Sequence, residues 1–186
     1  MKYILFKKID HHMSLVDALM ETQFSKVNKI PYQSFMMYTY EDAYVSDLHV
    51  LFNDFASELL TDFFVYISPF VNETYVFKHV DMVNQLISQI PIMNKGVIDN
   101  KVILTHHYNH ITPQLKTFIL GKYHDQSYML HTIQTYLESN QNMITASKEL
   151  FIHRNTLMMR LEKFNDATGF DMKSFKDGFL MYHLFV

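Results

Sequence analysis

The chain has 186 residues, of which 48% are hydrophobic and 19% charged, a globular balance that excludes disorder and leaves room for one domain or two small ones. There is no Cys, which rules out disulfides, a thiolate nucleophile and Cys-ligated zinc. The formal net charge of −3 means that any nucleic-acid binding has to come from a local arrangement of basic side chains, not from the global field.

Thirteen Met, sixteen Phe and twelve Tyr without Trp predict a soft, aromatic-rich core. The start, with Lys2, Lys7 and Lys8 around a short apolar run, is a poor signal peptide, and no run approaches the length of a membrane span. These features predict a soluble, cytoplasmic protein.

Along the chain, Tyr3 to Phe6, Ser34 to Tyr40 and Phe63 to Ser68 are short aromatic-rich runs that predict strands, the last stopped by Pro69. A helix is expected after Ser14, on Leu15, Leu19, Met20 and Phe24. A second is expected on Val45, Leu48, Phe52, Phe55 and Leu59, capped by Ser46. A third follows on Val76, Val80, Val83, Ile87 and Ile90 and ends at Pro91. The alternation predicts a small sheet with helices packed on it over residues 1–95. Residues 96–125 are expected to connect, with turn signals at Lys95-Gly96 and Asp99-Asn100 and with Val102 to Leu104 either a strand or a helix start. Within this stretch Thr112 is a candidate cap before Pro113 at a first helical turn.

From Gln126 onward the periodicity is helical: Leu130, Ile133 and Leu137, then Met143, Ser147 and Leu150, then Leu157, Leu161 and Phe164, with a closing helix over Phe179 to Phe185. The predicted class is α+β, a small α/β domain (1–95) followed by an all-α domain (126–186).

The informative run lies between Asn142 and Leu161. It predicts a short helix after the cap Asn142, with small Ala146 and Ser147 for close helix approach, then a tight turn between Leu150 and Ile152, then a second helix. That second helix opens with His153, Arg154, Asn155 and Thr156 before its apolar stripe. Such a layout suits a recognition helix whose first residues meet base edges in the major groove. Arg grips guanine O6 and N7 and Asn pairs with adenine, so Arg154 and Asn155 are the candidate base readers. His153 and Thr156 can serve phosphates or bases, and Arg160 and Lys163 can serve the DNA backbone.

The run Leu150 to Leu157, containing His-Arg-Asn-Thr-Leu, followed by Arg160-Leu161 and Thr168-Gly169, resembles the C-terminal helix-turn-helix of the PucR/CdaR regulators, over roughly Leu130 to Leu184. The resemblance implies a DNA-binding C-terminus with its DNA role on His153, Arg154, Asn155, Thr156 and Arg160. It also implies a degenerate GGDEF-like domain upstream for sensing or dimerisation. Met158 and Met159 stand where the family commonly has a basic and an aromatic residue, and Gly178 where a basic one is usual. Residues 128–186 hold six basic side chains and six acidic ones, so two modules on a palindrome, in a homodimer, are expected to recover the affinity that one lacks.

Other constellations point elsewhere less strongly. Met158 and Met159 read as core filling. His106, His107 and His110 read as exposed connector histidines, not a metal site. Glu41-Asp42 falls where a GGDEF-like signature hairpin would lie, but no Gly occurs in the first 95 residues to cradle phosphates, so cyclase activity is not expected. No nucleophile–base–acid trio is legible, so neither a catalytic residue nor a cofactor is assigned. The reading is a sequence-specific regulator that binds double-stranded DNA, with a small-molecule effector as an open partner. Its rivals are an adaptor that keeps the fold without touching DNA, and a small-molecule sensor.

Overall fold

The computed structural model describes residues 1–7, 12–59, 64–89 and 96–185, so the expected roles of Phe63, Ile90, Pro91 and Lys95 lie outside the described residues. The class is mixed α+β, and the chain divides into two compact units, Met1–Asp99 and Asn100–Val186.

Unit 1 contains β1 (Lys2–Lys7), α1 (Met13–Gln23), β2 (Asn28–Tyr32), β3 (Phe35–Tyr40), α2 (Leu48–Leu59), β4 (Phe64–Ile67), α3 (Val76–Ser88) and β5 (Gly96–Ile98). Its sheet runs β2-β3-β1-β4-β5. β1 is antiparallel to both neighbours, with Ile4 opposite Tyr38 of β3 and Leu5 opposite Tyr66 of β4, while β4 and β5 are parallel. The first four strands follow the split βαβ plan, β-α-β-β-α-β, and α3 with β5 extends it by one crossover.

As the central strand, β1 buries Tyr3, Ile4, Leu5 and Phe6 without a polar alternate, because helices cover both faces. On one face Ile4 and Phe6 join Val16 and Met20 of α1 and Phe52 of α2 in an apolar cluster. On the other, the Tyr3 hydroxyl meets His79 Nδ1 of α3 at 2.6 Å.

Three details of this unit differ from expectation. Nothing in the sequence predicted β2, whose Pro31 cannot donate to a ladder; the strand survives because it lies at the sheet edge and, among the described residues, pairs with β3 alone. α1 starts after His12, with Ser14 inside it, and it buries Val16 and Met20 while Leu15 stays 48% exposed. α2 starts later than expected: the Asp47 carboxylate, not Ser46, accepts the Val50 N–H at 3.1 Å, and Val45 precedes the helix.

Glu41 and Asp42 follow β3 and are tied to the end of α1, Glu41 by an ion pair with Lys26 and Asp42 by its carbonyl accepting from the Ser25 N–H at 2.9 Å. The β2–β3 hairpin instead turns at Gln33-Ser34, where Gln33 adopts a left-handed φ of 51°.

Unit 2 contains α4 (Asn100–His107), α5 (Pro113–Leu120), α6 (Ser127–Glu138), α7 (Met143–Glu149), α8 (Arg154–Thr168) and α9 (Phe175–Tyr182). The stretch expected to connect two domains is itself structured. Gly96–Ile98 is the edge strand β5, and Val102 to Leu104 belong to a helix that buries Ile103 and Leu104. Pro113 takes the first turn of α5, where Thr112 Oγ1 accepts the Leu115 N–H at 3.1 Å, and Leu115, Ile119 and Leu120 of that helix are buried. His106 and His107 end α4 and His110 follows it; among the described residues no group of three or more His, Cys, Asp or Glu is placed to hold a metal. Nor is any helix of the described residues long and apolar enough to cross a membrane. α9 begins earlier than expected because Ser174 accepts the Asp177 N–H, at 3.4 Å, and so caps the helix.

Candidate nucleic-acid interface

The site is built on α7 and α8, and each end of each helix has a local cause. α6 closes at Asn140 and Gln141, both in left-handed conformation, with Asn140 N–H donating to the Leu137 carbonyl and Gln141 N–H to that of Tyr136. That pair of bonds is a Schellman closure, and Asn tolerates the left-handed backbone better than most residues. Asn142 then caps α7 as expected: its side-chain oxygen accepts from the N–H groups of Ile144 and Thr145, both at 3.0 Å. Ala146 and Ser147 are buried on the face of α7 that meets its neighbours, which their small size permits.

α7 closes by a second Schellman motif. The Phe151 N–H donates to the Lys148 carbonyl at 3.1 Å and the Ile152 N–H to that of Ser147 at 3.0 Å. The left-handed position, where Gly is usual, is held by Phe151 at φ 52°, and its side chain is 95% exposed. Sequence reasoning placed the turn but missed this residue, since nothing in Leu-Phe-Ile marks a positive φ. Phe151 lies beside Ser147, Lys148 and Ile152 on a shallow open depression. Phe151→Gly is expected to stabilise the unit by about 0.5–1 kcal/mol, because strain is relieved and no buried area is lost. Denaturant midpoints of the two proteins measure this; a loss of stability would mean that the ring is packed.

His153 does not open α8 but caps it: its Nδ1 accepts the Asn155 N–H at 3.2 Å. In the neutral ring this places the proton on Nε2, which remains a donor. Past the cap, Leu157, Leu161, Phe164 and Thr168 step along one buried stripe. His153, Arg154 and Asn155 are exposed and Thr156 is half-buried, so the four lie together at the helix start. Met158 and Met159 are not core filling: both are exposed, because they fall outside the three-four stepping of that stripe. Lys163 is also exposed, two turns beyond Thr156.

Arg160 is not placed with them. Half-buried, it points at α6, where Nη1 donates to Thr132 Oγ1 at 2.8 Å and the guanidinium lies 5.5 Å from the centre of the Tyr128 ring. Gly178 shows why no basic side chain stands there. A Cβ at Gly178 would come 2.8 Å from Gln141 Nε2, which bonds the carbonyls of Met172 and Ser174 at 2.6 and 3.2 Å.

Residues 129–184 match the family model of the PucR C-terminal helix-turn-helix domain. The chain is similar to the DNA-binding transcriptional activator AdeR of Bacillus subtilis, 34% identical over 86 residues that make up 46% of this chain and 20% of that protein. It is similar to the carbohydrate diacid regulator of Escherichia coli, 41% identical over 51 residues, 27% of this chain and 13% of that one. It is also similar to the purine catabolism regulatory protein of Bacillus subtilis, 45% identical over 53 residues, 28% of this chain and 9% of that one. The matched part thus spans a fifth or less of each of these relatives.

Proposed function

We propose that this chain, which carries a PucR-type C-terminal helix-turn-helix domain over residues 129–184, is a transcriptional regulator that binds duplex DNA in a sequence-specific manner through the start of α8. The observation that carries the proposal is the two-sidedness of α8. Its apolar stripe is buried from Leu157 to Thr168, while His153, Arg154 and Asn155 stand exposed at the N-terminal end that a recognition helix inserts in the major groove. Arg154 and Asn155 read base edges, Thr156 and the free Nε2–H of His153 add polar contacts, and Lys163 neutralises a phosphate. With equal numbers of acidic and basic side chains in residues 128–186, affinity comes from a homodimer on a palindromic site, each half making the other effectively intramolecular. Unit 1, as the degenerate GGDEF-like partner, supplies dimerisation or receives an effector, and the regulator acts in the cytoplasm.

The test is selection from a randomised duplex pool at two salt concentrations. Enrichment of a palindrome supports the proposal, and no enrichment with affinity flat in salt sinks it. Arg154→Ala or Asn155→Ala is expected to cost about 1–2 kcal/mol on the selected site and to relax preference at one base pair. An Arg154→Ala protein that binds as tightly as wild type would remove the recognition helix from this role.

A further inference from the structure

Among the described residues of α7 and α8, Arg160 is the basic side chain whose charged head the fold already uses. The guanidinium donates to Thr132 Oγ1 at 2.8 Å, and that hydroxyl in turn donates to the Tyr128 carbonyl at 2.7 Å. Thr132 is fully buried, so its oxygen has lost water and has a single proton to give; the donor from α8 completes it. The same guanidinium lies over the Tyr128 ring, within the range of a cation–π contact. Arg160 therefore joins the middle of α8 to the first two turns of α6 by one chain, guanidinium to hydroxyl to carbonyl, closed by the aromatic face of the residue that owns that carbonyl. A side chain held this way has its head on α6, not on the face that carries Arg154 and Asn155. A planar, forked cation suits this double role better than an ammonium.

We infer that Arg160 is a positioning residue, which sets the angle at which α8 presents Arg154 and Asn155, and is not a ligand of the DNA backbone. The inference rests on the DNA-binding reading above. It makes predictions that a phosphate ligand does not. A phosphate contact contributes about 0.9 to the slope of log affinity against log salt, whatever the sequence bound. A positioning residue leaves that slope alone and acts on the ratio of specific to nonspecific affinity. A partner that never meets DNA must then matter equally.

The experiment compares wild-type chain with R160M, R160K and T132V on the selected duplex and on a scrambled one, across a salt series, alongside thermal unfolding. T132V keeps side-chain volume and all charges while deleting the acceptor. R160M and T132V are expected to lower the specificity ratio by a similar factor, on the order of tenfold, with salt slopes within about 0.3 of wild type. Both are expected to lower Tm, and the double variant to lower it by less than the sum, because the pair is one interaction. R160K, which keeps a cation near the hydroxyl and the ring, is expected to recover part of the ratio. A slope reduced by about 0.9 in R160M but restored in R160K, with T132V indistinguishable from wild type, would overturn the inference and make Arg160 a phosphate ligand. Wild-type protein that selects no duplex would overturn the DNA reading and the positioning role with it. Non-additive melting of R160M and T132V would then show that the latch stands and the reading is what failed.

Discussion

Phe164→Ala is expected to destabilise the C-terminal unit by about 3–5 kcal/mol, a large part of the total stability of a domain of this size. Phe164 is fully buried on the stripe that seats α8, and its ring stacks on Tyr123 with centroids 5.6 Å apart and planes 25° from parallel. The Tyr123 hydroxyl also donates to the Lys163 carbonyl at 3.2 Å, so ring and backbone anchor the same turn of α8. Truncation removes the transferred area and leaves a cavity behind, and the two costs add. Because α8 also carries the proposed base readers, the variant is expected to lose selective DNA binding at temperatures where wild type keeps it. The chain has no Trp, so tyrosine fluorescence or near-ultraviolet dichroism through a denaturant titration is the natural measurement. A loss below about 1 kcal/mol would contradict the burial of this ring.

Acid is expected to act on the other unit, through His79. Burial holds this imidazole well below its usual range, at about 4. Its Nδ1 lies 2.6 Å from the Tyr3 hydroxyl, with the Tyr3 and Tyr66 rings beside it. The unfolded chain binds this proton near pH 6.5 and the folded chain only near 4, so between those values the unfolded state carries more protons and stability rises with pH. The contribution is complete above 6.5 and is lost as pH falls through about 4. The full shift corresponds to about 3 kcal/mol, and the part of His79 that still meets solvent reduces this to about 2 kcal/mol. His79→Gln keeps an acceptor but no titrating ring, and is expected to flatten the acid limb of a stability–pH profile by that amount. Parallel profiles for the two proteins would show that His79 does not carry the effect.

Much of the C-terminal unit was legible in the chain, for a local reason. Caps and turns are written in the residues that make them, as Asn142, Thr112 with Pro113, and the three-four stepping of Leu157, Leu161 and Phe164 each turned out. The family resemblance of the His-Arg-Asn-Thr-Leu run had the same local origin, and residues 129–184 match that family's domain.

Where the sequence left two near-equal choices, the third dimension chose. Asp47 displaced Ser46 as a cap, and Val16 displaced Leu15 as the buried face of α1, where Val16 packs in the cluster with Ile4 and Phe6 of β1. Pro31 sits in a strand because that strand is an edge, a property of sheet order that no local pattern contains. Arg160 has the composition of a DNA contact and the position of a latch. Charge and spacing alone told only that it was basic and on α8; the buried hydroxyl of Thr132, twenty-eight residues earlier, decided where its guanidinium points. Residue types and periods set the caps and the buried stripe of α7 and α8, since those depend on neighbours a few residues apart. Which polar groups are already satisfied depends on residues brought together only by folding, and that the tertiary structure alone decided.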